Sequence, residues 1–184
     1  MSELVLPLTT ARLTLRAITV EDEENIFALY GNPEVVRYLY EDVVERANIS
    51  THLLRYISAG LPDDGQWLSL AIEHDGIFVG QASVCYRSAE HRQAEIGYIL
   101  VPSANGHGYA TEASARMIQL AFDELGVHRV VGRIEARNAP SERVLQRLGM
   151  RKEAHLIQNE WVKGEWNDEI VYAITEPEWR LQQG

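Results

Sequence analysis

Leu13 and Leu15 alternate with polar neighbours between Arg12 and Ile18, the period of a strand with one buried face. The pattern then turns helical. Thr19 is placed to cap a helix near Glu21 to Tyr30 whose first turn is acidic, and "GNPEVVRYL" restarts the chain after a turn at Gly31 to Pro33. Ile49, Leu53, Tyr56 and Ile57 share one helical face and predict a further helix near Val43 to Ser58. From Trp67 the period returns to that of strands: "WLSLAIE", a turn at "HDG", and "IFVGQASVCY" predict a hairpin, followed by a strand from Gln93 to Val101 that Pro102 ends. Gly106 and Gly108 then precede a helix whose Ala110, Ser114, Met117, Ile118, Ala121 and Leu125 form one stripe, stopped by Gly126. "HRVVGRIEA" predicts a strand, Pro140 to Leu148 a short helix closed by Gly149, and "HLIQNEWVKGEWNDEIVYAI" a last hairpin turning near Lys163 to Glu165. This order predicts one α/β domain over residues 1–184 with a mixed sheet.

Composition narrows the function classes. With 46% apolar residues and a formal net charge of −10, the chain reads as globular, and it lacks the basic face that nucleic acid or an anionic membrane requires. The single cysteine, Cys85, excludes an internal disulfide and sits in the apolar run Gly80 to Tyr86, as a core residue would. The N-terminus lacks the basic and apolar regions of a signal peptide, and no apolar run approaches about 18 residues, so the cytoplasm is the expected compartment. The histidines show no metal-ligand spacing, and no metal is expected.

The glycine turn is the first candidate for chemistry. A glycine-rich turn that opens a helix aims bare backbone N–H groups at one spot, where the helix dipole adds positive charge, and such a spot binds phosphate. No lysine follows Gly108, so it is not a Walker loop, and Thr111 stands where a dinucleotide fingerprint needs its third glycine. A tight turn with no ligand remains an alternative.

Beyond the turn, the chain resembles the GCN5-related N-acetyltransferase superfamily, especially its ribosomal-protein N-terminal acetyltransferase branch, over nearly its whole length. "TTARLTLRAITVEDEENIFALYGNPEVVRYL" is similar to that branch's opening strand and helix, "AEIGYILVP" to its fourth strand, and "GHGYATEA" to its pyrophosphate loop. "GVHRVVGRIEARNAPSERVLQRLGMRKEA" is the most specific match, and "KGEWNDEIVYAI" resembles the closing hairpin. The resemblance implies an α/β fold with a mixed, mostly antiparallel sheet of about seven strands, flanked by helices and splayed between the fourth and fifth strands. It implies acetyl-CoA as donor, with its pyrophosphate on the backbone amides of His107, Gly108, Tyr109, Ala110 and Thr111. The pantetheine arm would lie along Ile99, Leu100 and Val101. Asn105 and Gly106 complete the loop, with Asn105 at a position that is glutamine or arginine in the superfamily motif. Asn138 matches the branch's Asn-x-x-Ser, and Arg143 is a candidate contact for the CoA 3′-phosphate. Members occur as monomers and homodimers.

Acetyl transfer to an amine needs a neutral amine, stabilisation of an oxyanion, and an acid for the departing thiolate. A free α-amine, with a pKa of about 7.7–8.0, is the easier acceptor than a lysine amine at about 10.4. A ribosomal or other protein N-terminus is therefore the first expected acceptor, with small amines such as polyamines or antibiotics as the alternative. Glu95 is the candidate base, on the same side of its strand as Gln93 and Gly97; a solvated strand carboxylate is the other reading. The tyrosine that many superfamily members place seven residues after the motif asparagine is absent here, where Leu145 stands. Ser141 is then the implied thiolate acid or its hydrogen-bond donor, and Asn138 with Ser141 equally reads as a helix cap. A catalytically silent CoA-binding module and a dinucleotide oxidoreductase complete the alternatives.

Overall fold

The computed structural model describes residues 4–57 and 60–183. In chain order its strands are β1 (Leu8–Thr9), β2 (Leu13–Ala17), β3 (Trp67–His74), β4 (Ile77–Ser88), β5 (Gln93–Leu100), β6 (Arg129–Glu135), β7 (Arg151–Val162) and β8 (Glu165–Thr175). The helices are α1 (Glu23–Tyr30), α2 (Ile49–Leu53), α3 (Tyr109–Asp123), α4 (Ala139–Arg147) and α5 (Glu176–Gln183). All eight strands form one sheet in the order β1-β2-β3-β4-β5-β6-β8-β7. Every neighbouring pair is antiparallel except β5 with β6, so the sheet is mixed and mostly antiparallel as expected, with the short β1 as the added strand.

The two faces of the sheet carry different cores. On one, Leu68, Leu70, Val84, Ile96 and Val130 pack against Met117, Ile118 and Ala121 of α3 and Leu145 of α4. On the other, Ala71 and Ile99 meet Ile26 and Leu29 of α1 and Ile49 and Leu53 of α2. Cys85 is buried, as its apolar surroundings require. Gly126 and Gly149 follow α3 and α4 with φ of +61° and +71°, the left-handed backbone that ends a helix.

The helical segments depart from expectation in three places. The helix near Val43 to Ser58 shrinks to α2 with a preceding 3-10 turn, Arg46–Asn48, and its far end at Ser58 lies outside the described residues. Val44 spends its N–H on the Tyr30 carbonyl at 2.8 Å, which ties that stretch to the end of α1 and keeps it out of a helix. "GNPEVVRYL" forms only the 3-10 turn Val36–Tyr38. Helix α5 was not anticipated; its Trp179 is buried against Phe122, with ring centroids 6.4 Å apart.

Arg16 ties the start of the chain to the sheet. Its guanidinium makes two 2.8 Å bonds to the buried Asp22 carboxylate and donates from Nε to Glu73 at 2.7 Å. Burial pushes the Asp22 carboxyl up, but its bonds from Arg16, Thr19 and Asn25 outweigh that and hold it at about 2. A depressed carboxyl stabilises the fold above its unfolded value, and the contribution is lost as pH falls through the folded one. Asp22→Asn is therefore expected to cost about 2 kcal/mol at pH 7. In urea unfolding followed by circular dichroism, that gap should narrow as pH is lowered from about 4 towards 2.

Candidate active site

β5 and β6 pair only from Gln93 with Arg129 to Ile96 with Gly132. Beyond that level β5 runs on to Leu100 and β6 to Glu135 without pairing, and a cleft of about 1000 Å³ opens between them. Helix α4 is the wedge. A Cβ on Gly132 would lie 2.7 Å from Leu145 Cδ2, so the glycine admits the helix against the sheet at the last paired position. Leu145, where the sequence lacks a tyrosine, is buried by that packing.

One floor of the cleft follows from the strand register. Trp67, Cys85 and Glu95 stand side by side on β3, β4 and β5; the next row is Ser69, Ser83 and Gly97, and the third is Ala71, Gln81 and Ile99. The middle row holds the smallest side chains, so the floor dips there. Ser69 Oγ and Ser83 Oγ are 2.8 Å apart, and Gln81 Nε2 donates to both at 3.3 Å. Tyr30 and Tyr56, stacked with centroids 5.2 Å apart, also line the cleft.

Glu95 lines this cleft with its side chain only 13% exposed. Its Oε2 is shielded from solvent and makes no hydrogen bond among the described residues, although Arg87 Nε lies at 3.4 Å and Arg133 Nε at 3.5 Å as ion-pair partners. Burial pushes the Glu95 carboxyl up, against the pull of both arginines and with a push from Glu169. Arg133 is shared, since its Nη1 also donates to the buried Glu169 at 3.1 Å. A half-desolvated carboxylate with a raised pKa is what a general base at neutral pH requires.

Across the cleft, Asn138 caps α4 by accepting the Ser141 N–H at 3.2 Å, and Tyr98 Oη donates to the Ser141 carbonyl at 3.0 Å. Both bonds use the Ser141 backbone, so its hydroxyl has no partner among the described residues. Tyr98, a cleft residue that sequence reasoning passed over, has its phenol pushed above the usual range by burial.

At the far end of the cleft, Gly106 and Gly108 both have φ of +81°, and Gly108 is the N-cap of α3. None of the backbone N–H groups from Gly106 to Thr111 has a backbone acceptor among the described residues, and Thr111 Oγ1 is buried without a partner. Asn105 and Ala110 line the cleft with Ile99 and Leu100, while His107, exposed, and Gly108, half-buried, do not line it. Val101 lies just past β5 and donates to the Val79 carbonyl at 3.1 Å. Arg143 is exposed on α4 and does not line the cleft. Arg151 opens β7 and pairs with Glu153 and Glu178. Trp161 and Trp166 stand exposed near the tip of the β7–β8 hairpin, Asp168 holds His155 and the Gln158 N–H, and Tyr172 donates to Glu142 at 2.8 Å.

A family model described as an acetyltransferase (GNAT) domain matches residues 12–151. The chain belongs to the GNAT acetyltransferase family. N-acetyltransferase YoaA of Bacillus subtilis, named as uncharacterized, is 31% identical over 172 residues, 92% of this chain and 97% of that protein. Spermidine N(1)-acetyltransferase of Vibrio cholerae is 22% identical over 158 residues, 86% of this chain and 90% of its own. A GNAT-family acetyltransferase from Bacillus anthracis has a crystal structure matching at a TM-score of 0.83 and 27% identity, covering 94% of this chain and all of that one. RimJ of Mycobacterium smegmatis, in complex with CoA-disulfide, matches at a TM-score of 0.74 and 25% identity over 90% of this chain and 83% of that one. As a GNAT acetyltransferase the chain uses acetyl-CoA. The row of open N–H groups, the partnerless Thr111 hydroxyl and the unpaired β5 edge from Gly97 to Leu100 fit such a donor. Among the described residues, no helix is long and apolar enough to cross a membrane.

Proposed function

We propose that this acetyltransferase acts on the N-terminal α-amine of a protein or peptide, transferring the acetyl group directly. The observation that carries the reading is Glu95, a shielded carboxylate with a raised pKa beside the open position Gly97 on the cleft floor. Gly106 to Thr111 would hold the pyrophosphate, Ile99 to Val101 and Asn138 the pantetheine arm. Arg143, exposed on α4, is the proposed partner of the 3′-phosphate. The amine nitrogen attacks the thioester carbonyl as Glu95 takes its proton through a water. The C–N bond forms and the C–S bond breaks; the Ser141 hydroxyl hydrogen-bonds the leaving sulfur and passes it a proton, is itself reprotonated from water, and the proton taken by Glu95 is released to solvent. Similarity to a putative ribosomal N-acetyltransferase, YdaF of Bacillus subtilis, 31% identical over 106 residues and 58% of each chain, supports a protein acceptor, and the formal charge of −10 favours a basic one. The cytoplasm, where acetyl-CoA and nascent N-termini meet, is the proposed compartment.

Likeness to the spermidine acetyltransferase keeps small polyamines as a second reading. Acetyl-CoA-dependent thiol release decides between them when measured against peptides with free N-termini, the same peptides N-blocked but carrying lysine, spermidine, and aminoglycosides. Release with free-N-terminus peptides alone is expected; release with spermidine alone overturns the peptide reading and keeps the chemistry. Ser141→Ala is expected to lower kcat about tenfold while CoA affinity by calorimetry stays within about twofold. An unchanged kcat at saturating donor removes Ser141 from the proposed mechanism.

A further inference from the structure

Residues about a hundred positions apart in sequence meet at the outer lip of the phosphate loop. Thr10 Oγ1 donates to Glu112 Oε1 at 2.6 Å, and the Arg12 backbone N–H donates to the same oxygen at 2.9 Å. The Arg12 guanidinium bonds Glu112 Oε2 at 2.7 Å from Nε and donates from Nη1 to the His107 carbonyl at 3.1 Å. It stands 5.0 Å from the Tyr109 ring centroid, and its Nη2 lies 3.5 Å from where a Cβ on Gly108 would sit.

This arrangement answers an electrostatic conflict. Glu112 lies in the first turn of α3, where a negative charge favours the helix dipole. The same charge sits within one turn of the N–H groups that have to face a diphosphate, and like charges at that range repel. Burial works against the Glu112 charge, yet the bonds from Thr10 and Arg12 more than offset it, so the carboxylate is held ionised. Helix stability and anion binding thus make opposite demands on one residue, and Arg12 meets both.

We propose that Arg12 is a positioning residue for the donor: it cancels the Glu112 charge and holds the His107 carbonyl, so that the loop presents only N–H groups to the CoA pyrophosphate. The proposal rests on the reading that Gly106 to Thr111 hold that pyrophosphate. Its signature is a charge cycle. Arg12→Gln leaves Glu112 uncompensated and is expected to weaken CoA binding about tenfold in calorimetry at low salt. Adding Glu112→Gln to that variant is expected to restore affinity to within about threefold of the unmodified protein, and Arg12→Lys, which keeps the charge, to do the same. The loss should fall on Kd and on the KM for acetyl-CoA, with kcat at saturating donor and the KM for acceptor little changed.

Unaltered affinity in a folded Arg12→Gln protein, checked by thermal melting, overturns the proposal. So does a double variant no better than Arg12→Gln, which would make Arg12 a direct phosphate ligand. A penalty that disappears with 3′-dephospho-CoA overturns it too, by moving the repelled group to the other phosphate. Failure of the unmodified protein to bind CoA at all would instead sink the reading of the loop beneath it.

Discussion

Glu95→Gln is expected to lower kcat/KM for the acceptor about 1000-fold at neutral pH and leave CoA affinity within about twofold. The substitution is close to isosteric, and Arg133 retains its bond to Glu169, so the fold should persist. What disappears is a proton acceptor that burial has raised towards the working pH. The pH profile adds a signature that mere damage would not produce. Two groups must be deprotonated on the acid limb of kcat/KM: the acceptor α-amine, with a pKa of about 7.7–8.0, and Glu95 below it. In log form the limb should rise with a slope of two below the Glu95 pKa and one above it. Because burial raises that pKa, the break lies above the usual glutamate range, and activity is lost as pH falls through it. In the Glu95→Gln protein the limb should keep a slope of one throughout. A variant retaining wild-type kcat/KM would return Glu95 to the reading of a strand carboxylate with no catalytic part.

Local signals carried much of this architecture. The need for left-handed backbone at Gly106 and Gly108, the cap at Asn138 and the period-two strands are each written in a few adjacent residues, and each stands where the sequence puts it. Glu95 and Ser141 were legible as candidates, and the structure brings both to one cleft. What surrounds them was not. The pairing of Glu95 with Arg87 and Arg133 depends on strand order and register, which no short window contains. The Arg12–Glu112 pair joins the residue before the second strand to the third helix, and neither residue carries a local sign of the other. Helix α2 shows the converse failure. Ile49, Leu53, Tyr56 and Ile57 share a helical period, yet the chain leaves the helix after Leu53, and Tyr56 stacks on Tyr30 and bonds His52 at 2.9 Å. A tertiary partner there outweighs propensity.

Gly97 offers the sharpest separation of the donor half of the site from the acceptor half. Its backbone has no positive φ, and a Cβ there would meet only Trp67 Cζ3 at 3.5 Å, Trp67 Cη2 at 3.8 Å and Ser83 Cβ at 4.0 Å, which are ordinary packing distances. A Cβ is therefore tolerable to the fold, and the glycine is not explained by backbone geometry. It is explained by the space above the floor, between Glu95 and Ile99, where the acceptor amine is proposed to lie. Gly97→Leu is expected to fold with a melting temperature close to that of the unmodified protein and to bind CoA within about threefold. Its kcat/KM for acceptor should fall at least about 100-fold, because displacing a reacting nitrogen by about 1 Å already costs that much. Gly97→Ala should lie between the two. If Gly97→Leu lost CoA affinity while the acceptor KM held, this floor would belong to the donor, and the amine would have to approach from the α4 side. If both parameters held, the dip formed by Ser69, Ser83 and Gly97 would play no part in catalysis, and Glu95 would need another route to the amine.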